Sequence, residues 1–272
     1  MDALLNKLEK NLRHSRTTTS EGSEETKAQH AYRLMKLFFF RGNRSAAYER
    51  LKKYVKENEP ELLKISNELG KTERFFDFLI VIDFECTCDE INNISYPHSI
   101  IEFPAVLINV KEKEIVDTFR SYVRPSDDEK ISPFCTYLTG IRQVNVSNAP
   151  TFSVVMNMFR DWMRKNEVTE WQRYAFVSDG PWDFAKFLQM QCEKSNIPIP
   201  DDFRRYVNIR KTFHTKYCKA NDTQRVCLTN MLRKLDMTFE GRRHCGLDDA
   251  KNIAKIVLRM LFDDVEIRVW LQ

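Results

Sequence analysis

The 272-residue sequence predicts an α/β domain: a mixed central sheet flanked by helices, with a small helical N-terminal extension. Three observations carry this. The run Phe76–Phe84 is almost entirely apolar, as a strand buried on both faces must be. Two further strand-like runs, Ile100–Val110 and Glu114–Val123, are joined by the charged Lys111-Glu112-Lys113, the pattern of a hairpin. After residue 150, short apolar runs alternate with stretches of helical period, as strands and helices alternate in α/β domains.

In chain order, residues 1–30 are polar. They include Thr17-Thr18-Thr19-Ser20 and a following acidic stretch, and they read mostly as disordered. Residues 31–70 read as helical, with Ala47, Leu51, Tyr54 and Val55 on one face and Gly70 as a stop. Arg41, Arg44, Arg50, Lys52 and Lys53 make this extension basic. Such a segment suits either a helical appendage packed on the main domain or an auxiliary nucleic-acid contact. The main domain spans 75–265. Within it, Thr151–Asn166 reads as an amphipathic helix, and Arg173–Val177 as a short strand running into Ser178-Asp179-Gly180. Asp183–Ser195 reads as helix, Tyr206–Ile209 as an edge strand, and Thr223–Leu235 and Leu247–Phe262 as helices. The tail Asp263–Gln272 carries no assigned element.

The formal net charge of +4 permits a polyanionic partner without requiring one. Seven cysteines, an odd number scattered along the chain, suit reduced thiols rather than a disulfide framework, and hence the cytoplasm or nucleus. No apolar run reaches the length of a membrane span, and the polar N-terminus has no secretory signal, so no membrane partner is expected.

The chemistry lies in the acids. Asp83 and Glu85 sit at i and i+2 at the end of the first apolar strand, a spacing that puts both carboxylates on one face. Burying two like charges together is costly unless a cation neutralises them; otherwise the strand ends there and both reach water. Asp179 follows a buried strand at its C-terminal edge, where open α/β sheets place ligands. Asp183, four residues on, suits the N-cap of the next helix. Asp249 shares a helix face with Ile253 and Val257 and so points inward near the helix start. Asp248, about 100° away, suits a first-turn acid complementing the dipole. His244 lies in the preceding loop. Four carboxylates and a histidine are what two-metal phosphodiester hydrolysis requires. Two Mg²⁺ or Mn²⁺ ions about 4 Å apart grip the phosphate, and the histidine takes the proton of the attacking water.

These segments resemble the DEDD exonucleases in the version that uses histidine as base. The resemblance runs through Asp83-Phe84-Glu85, the Asp179 region, and His244 with Asp249. It extends to Ile100-Ile101-Glu102-Phe103-Pro104, Tyr122-Val123-Arg124-Pro125, Leu138-Thr139-Gly140-Ile141 and the run 244–254. Together these look like the histone-mRNA 3′-exonuclease branch, also called the enhanced-RNA-interference exonucleases, over about residues 76–262. The resemblance implies an RNase H-like exonuclease fold and 3′→5′ hydrolysis that releases nucleoside 5′-monophosphates from RNA with a free 3′ end. Small-RNA duplex ends, histone mRNA and ribosomal RNA precursors are the implied substrates, and RNA-processing or small-RNA pathway proteins the implied partners. It makes Asp83, Glu85, Asp179 and Asp249 metal ligands and His244 the general base. Phe134 and Trp182 match positions that hold the terminal base, the alternative for both being core packing. Leu138, Thr139 and Gly140 would line the terminal-nucleotide pocket, with the sugar approaching the backbone at Gly140. A DNA exonuclease of the same fold and a silent RNA-binding protein remain alternatives.

Three other features stand outside these motifs. Cys86-Thr87-Cys88 suggests a zinc half-site, but no second pair of ligands is evident. His98 reads as a surface residue. Arg204, Arg205, Arg210, Lys211, His214, Lys216 and Lys219 form a basic stretch that is either a solvated surface or a set of phosphate contacts.

Overall fold

The computed structural model describes residues 76–91, 96–125, 129–169, 172–219 and 225–271. The expectations for residues 1–30 and 31–70 lie outside them. The chain divides into two units. The unit described below comprises residues 76–169 and 174–271.

β1 (Phe78–Ile82) pairs antiparallel with β3 (Ile100–Asn109) and parallel with β5 (Tyr174–Ser178). β2 (Glu85–Cys86) pairs with the other end of β3, and β4 (Glu114–Tyr122) runs antiparallel along β3's far side. β6 (Arg205–Asn208) continues the sheet parallel to β5. Every residue of β3 except its last is buried, so its long apolar run is covered on both faces. The hairpin turn is tied by the Asn109 side chain, which accepts the N–H groups of Lys111 (3.0 Å) and Glu112 (3.1 Å).

The helices are α1 (Pro133–Thr139), α2 (Gln143–Ser147), α3 (Phe152–Lys165), α4 (Leu188–Lys194), α5 (Ile209–Tyr217), α6 (Leu228–Lys234) and α7 (Gly246–Phe262). Sequence periodicity identified α3, α4, α6 and α7. It missed α1, α2 and α5. α1 nevertheless has terminal signals. Ser132 accepts the Cys135 N–H (2.9 Å), Pro133 opens the helix, and Gly140 closes it at φ 77°. The core is a pile of aromatic rings between sheet and helices. Phe176 stacks on Phe203 at 4.1 Å, and Phe159 meets Phe103, Phe119 and Trp162 within 6 Å. Each fully buried ring contributes about 1.5–3 kcal/mol.

Four expectations need correction. The first strand does not run unbroken to Phe84; pairing lapses at Asp83 and Phe84 and resumes at β2. β6 is not an edge strand. β7 (Trp270–Leu271), from the tail that carried no assignment, pairs antiparallel along its outer side. The helix expected over Asp183–Ser195 opens with a π-helical turn, Asp183–Phe187, before α4. His98 is buried rather than on the surface. Its Nδ1 lies 2.8 Å from the Thr87 carbonyl oxygen, and its ring packs edge-on against Phe187.

Candidate active site

Three segments bring carboxylates together. Asp83 leaves β1, Glu85 opens β2 and Asp249 stands in the first turn of α7. One oxygen from each lies within 4.8 Å of the others. The break in pairing at Asp83 and Phe84 is held by Asp183, whose Oδ1 accepts the Phe84 N–H at 2.9 Å. Asp183 is therefore a buried brace beside the acids rather than the helix N-cap expected of it, a position Trp182 takes. Gly246 lets α7 approach. A Cβ there would stand 2.8 Å from the Asp83 carbonyl oxygen and 3.2 Å from Glu85 Cγ, so any side chain would push the helix away. Glu102, fully buried in β3 opposite Glu85, accepts the Gly246 N–H on Oε2 (3.2 Å) and Arg120 Nε on Oε1 (2.7 Å). Sequence reasoning assigned no role to Glu102, Arg120 or Gly246. The signal for Glu102 was present, because a lone acid in an apolar strand must find a partner when buried.

Burial, and then the negative charges of its neighbours, hold Asp83 and Glu85 well above the usual carboxylate range. Asp183 and Asp249 are raised to about 7, by burial first and with Asp179 reinforcing it. The N–H groups of Phe84 and His244 oppose the two shifts respectively. In the unfolded chain these groups ionise near pH 4. Between about pH 4 and pH 7 the metal-free folded protein therefore binds more protons than the unfolded one, and its stability falls as pH rises. We expect the melting temperature in chelator to be higher at pH 5.5 than at pH 7.5. The increment from added Mg²⁺ should be larger at pH 7.5, because the cation binds the ionised form. A Mg²⁺ increment independent of pH would contradict this account.

Asp179 emerges from β5 outside the three-way group, yet its charge raises Asp83, Asp183 and Asp249. Its Oδ2 accepts Arg210 Nη2 at 2.5 Å. Its Oδ1 is buried and has no hydrogen-bond partner among the described residues. Clustered carboxylates, Asp83 and Glu85 half-buried and Asp249 buried, with a spare buried oxygen on Asp179 suit a hard divalent cation, which prefers oxygen donors. No cysteine joins such a group among the described residues, and all seven thiols are free.

His244 is exposed, on a left-handed backbone at φ 60°, and its N–H donates to Asp249 Oδ2 at 2.7 Å. The histidine loop is thereby pinned to a carboxylate of the cluster while the ring stays open to solvent. Partial burial first, and then the charges of Arg242 and Arg243, hold its pKa below the usual histidine value, which favours the neutral imidazole a base needs. Asp248 does more than complement the helix dipole: its Oδ2 accepts the Arg242 N–H at 2.9 Å. The Arg242 guanidinium reaches α1, donating to the carbonyls of Tyr137 (2.9 Å) and Leu138 (3.2 Å). It fills the space above Gly140, where a Cβ would meet it at 1.8 Å. The open approach to that backbone expected for a sugar is here taken by Arg242.

The remaining predicted residues divide. Trp182 is 53% exposed, with Lys186 Nζ 5.3 Å from its ring centre, so core packing does not explain it. Phe134 and Leu138 are half-buried against Cys88, Ile101 and Val146. Thr139 is buried and its hydroxyl is engaged, donating to the Cys135 carbonyl (2.8 Å) and accepting the Ile141 N–H (3.0 Å). The basic stretch is not a uniform patch. Arg204 pairs with Asp201 and Arg210 with Asp179, while Lys211, His214 and Lys216 are exposed.

A cation-hungry carboxylate cluster at a break in a mixed sheet, faced by a helix and a histidine loop, defines a metal-dependent hydrolase site. The chain belongs to the exonuclease family: the Exonuclease (RNase_T) family matches residues 80–257. It is 43% identical over 229 residues to human 3′-5′ exoribonuclease 1, covering 84% of this chain and 64% of that one. It is 34% identical over 248 residues to 3′-5′ exonuclease eri1 of Schizosaccharomyces pombe, covering 82% and 81% respectively. The nuclease domain of 3′hExo, a DEDDh family member bound to rAMP, superposes with a TM-score of 0.69 at 44% identity, covering 72% of this chain and 98% of that domain. The mixed sheet and flanking helices are those of the DEDDh nuclease fold, whose members are metal-dependent. The chain spans about two thirds of the length of the mammalian relatives, 64% for the human one.

Proposed function

We propose that this protein is a 3′→5′ exoribonuclease that removes nucleoside 5′-monophosphates one at a time from RNA 3′ ends. The observation that carries this reading is the convergence of Asp83, Glu85 and Asp249 within 4.8 Å, in a chain of the exonuclease family. Water attacks the phosphorus on the 5′ side of the last nucleotide. The bond to the preceding O3′ breaks, leaving a 3′-hydroxyl on the shortened chain and a free 5′-monophosphate. Asp83, Glu85, Asp179 and Asp249 would hold two divalent cations, Mg²⁺ or Mn²⁺. When bound, the cations supply Lewis acidity that acidifies water and stabilises the departing oxygen. His244 takes the proton from the attacking water. Ribonucleotide preference is carried over from relatives named as exoribonucleases and from the rAMP bound to 3′hExo. Seven free thiols support a reducing compartment, cytoplasm or nucleus.

Trp182, exposed two residues beyond Gly180, is assigned to stacking on the terminal base. Trp182→Ala should raise KM for single-stranded RNA about 5- to 100-fold, the worth of one stacked base, at unchanged melting temperature. An unchanged KM would remove it from the substrate site. The activity itself is tested by a gel time course on 5′-labelled RNA with a short 3′ overhang, with Mg²⁺, with EDTA and against matched DNA. Metal-dependent shortening from the 3′ end, faster on RNA, is expected. Faster shortening of DNA would reassign the substrate, and intact RNA under every condition would overturn the reading.

A further inference from the structure

We propose that Arg210 is the positioning residue for Asp179: it takes one carboxylate oxygen and thereby presents the other to a divalent cation. The inference rests on the metal-dependent reading of the site but concerns a residue that reading does not use.

Two arginine–aspartate pairs in the same domain make the argument. Arg160 grips Asp202 in the two-pronged manner, with Nη1 on Oδ2 at 2.6 Å and Nη2 on Oδ1 at 2.8 Å. The Tyr174 hydroxyl also donates to Oδ2, at 2.7 Å. Both oxygens of that carboxylate are satisfied, as in a structural ion pair. Arg210 holds Asp179 differently. Nη2 alone reaches Oδ2, and both Asp179 Oδ1 and Arg210 Nε are buried without a hydrogen-bond partner among the described residues.

A buried unpaired acceptor is costly. A two-pronged grip would remove that cost, yet this pair forgoes it. The open oxygen belongs to a carboxylate two residues past Val177, which pairs with Val81 two residues before Asp83, so Asp179 and Asp83 leave adjacent parallel strands side by side. A cation at those acids would satisfy it. The guanidinium lies beside Gly180, where a Cβ would stand 3.5 Å from Cζ. Arg210 is the second residue of α5, which follows β6 directly, and β6 pairs in register with the end of β5: Ser178 faces Asn208. Asp179 thus stands one residue past the end of β5 and Arg210 two past the end of its parallel neighbour β6. A planar guanidinium fixes the carboxylate's orientation, which a flexible ammonium does not. Groups that orient metal ligands typically alter metal affinity 10- to 100-fold.

The test is calorimetric titration of Mn²⁺ into the full chain, wild type and variants, with melting curves in EDTA. Arg210→Ala should weaken Mn²⁺ binding at least 10-fold. Arg210→Lys, which keeps the charge without the planar fork, should weaken it by an intermediate amount while melting like wild type in EDTA. Equal or tighter Mn²⁺ binding in folded Arg210→Ala would overturn the proposal and make Arg210 a competitor of the metal. Should that variant not fold, Arg210→Lys decides alone: unchanged affinity overturns it. Failure of the underlying reading looks different, because then wild type itself would bind no Mn²⁺ and Asp83→Asn would change nothing.

Discussion

Asp83→Asn should lose at least about 10³-fold in kcat/KM on single-stranded RNA while the metal-free protein melts no lower than wild type. The two halves have different causes. Activity falls because one anionic ligand leaves a site that must hold cations, and a bound cation is worth several kcal/mol of transition-state stabilisation, each 1.36 kcal/mol being tenfold in rate. Stability holds because the folded chain takes Asp83 partly out of water and crowds it against Asp183, Asp249, Glu85 and Asp179. Replacing a carboxylate there with a neutral amide relieves repulsion without changing shape. Single-turnover kinetics on 5′-labelled RNA and a melting curve in EDTA report both halves. Activity within threefold of wild type would sink the ligand assignment. A collapsed melting temperature would make Asp83 a structural residue instead.

His244→Ala should lower kcat about 10²- to 10⁴-fold, the usual worth of a positioned base, with RNA affinity changed less than about twofold. The ring is exposed and ties no other element, while the loop is held through backbone groups by Asp248 and Asp249. Loss of the imidazole therefore leaves the loop in place. The pH profile gives a second signature. The His244 pKa is depressed, so the neutral base persists below pH 6.5, and the acidic limb of the wild-type rate should fall below that value. The histidine-dependent limb should vanish in the variant. A loss confined to RNA affinity would instead place His244 in substrate binding.

Much of this was legible in the chain. The apolar runs of β1 and β3, the charged hairpin turn and the period of α3 and α7 are local properties, and burial of one face writes them into the residue order. The acids were legible for the same reason. Asp83 and Glu85 end an apolar strand, and Asp249 sits on the inward face of α7. Their types and spacings point to hard-cation chemistry, with strand ends reaching water as the alternative for Asp83 and Glu85.

What the sequence could not decide are relations between distant residues. Asp183 reads locally as a helix cap, yet it accepts the N–H of Phe84 across the sheet. Arg210 reads as one more charge in a basic stretch, yet it holds Asp179 by a single oxygen. Gly140 reads as an open backbone, yet Arg242 lies over it. A two-residue strand such as β7 has no periodicity to show and exists only because β6 offers it an edge. Residue type and spacing determined which groups this protein brings to its chemistry. The tertiary structure decided their orientation and partners, because hydrogen bonds and ion pairs between residues a hundred positions apart form only when packing closes the distance.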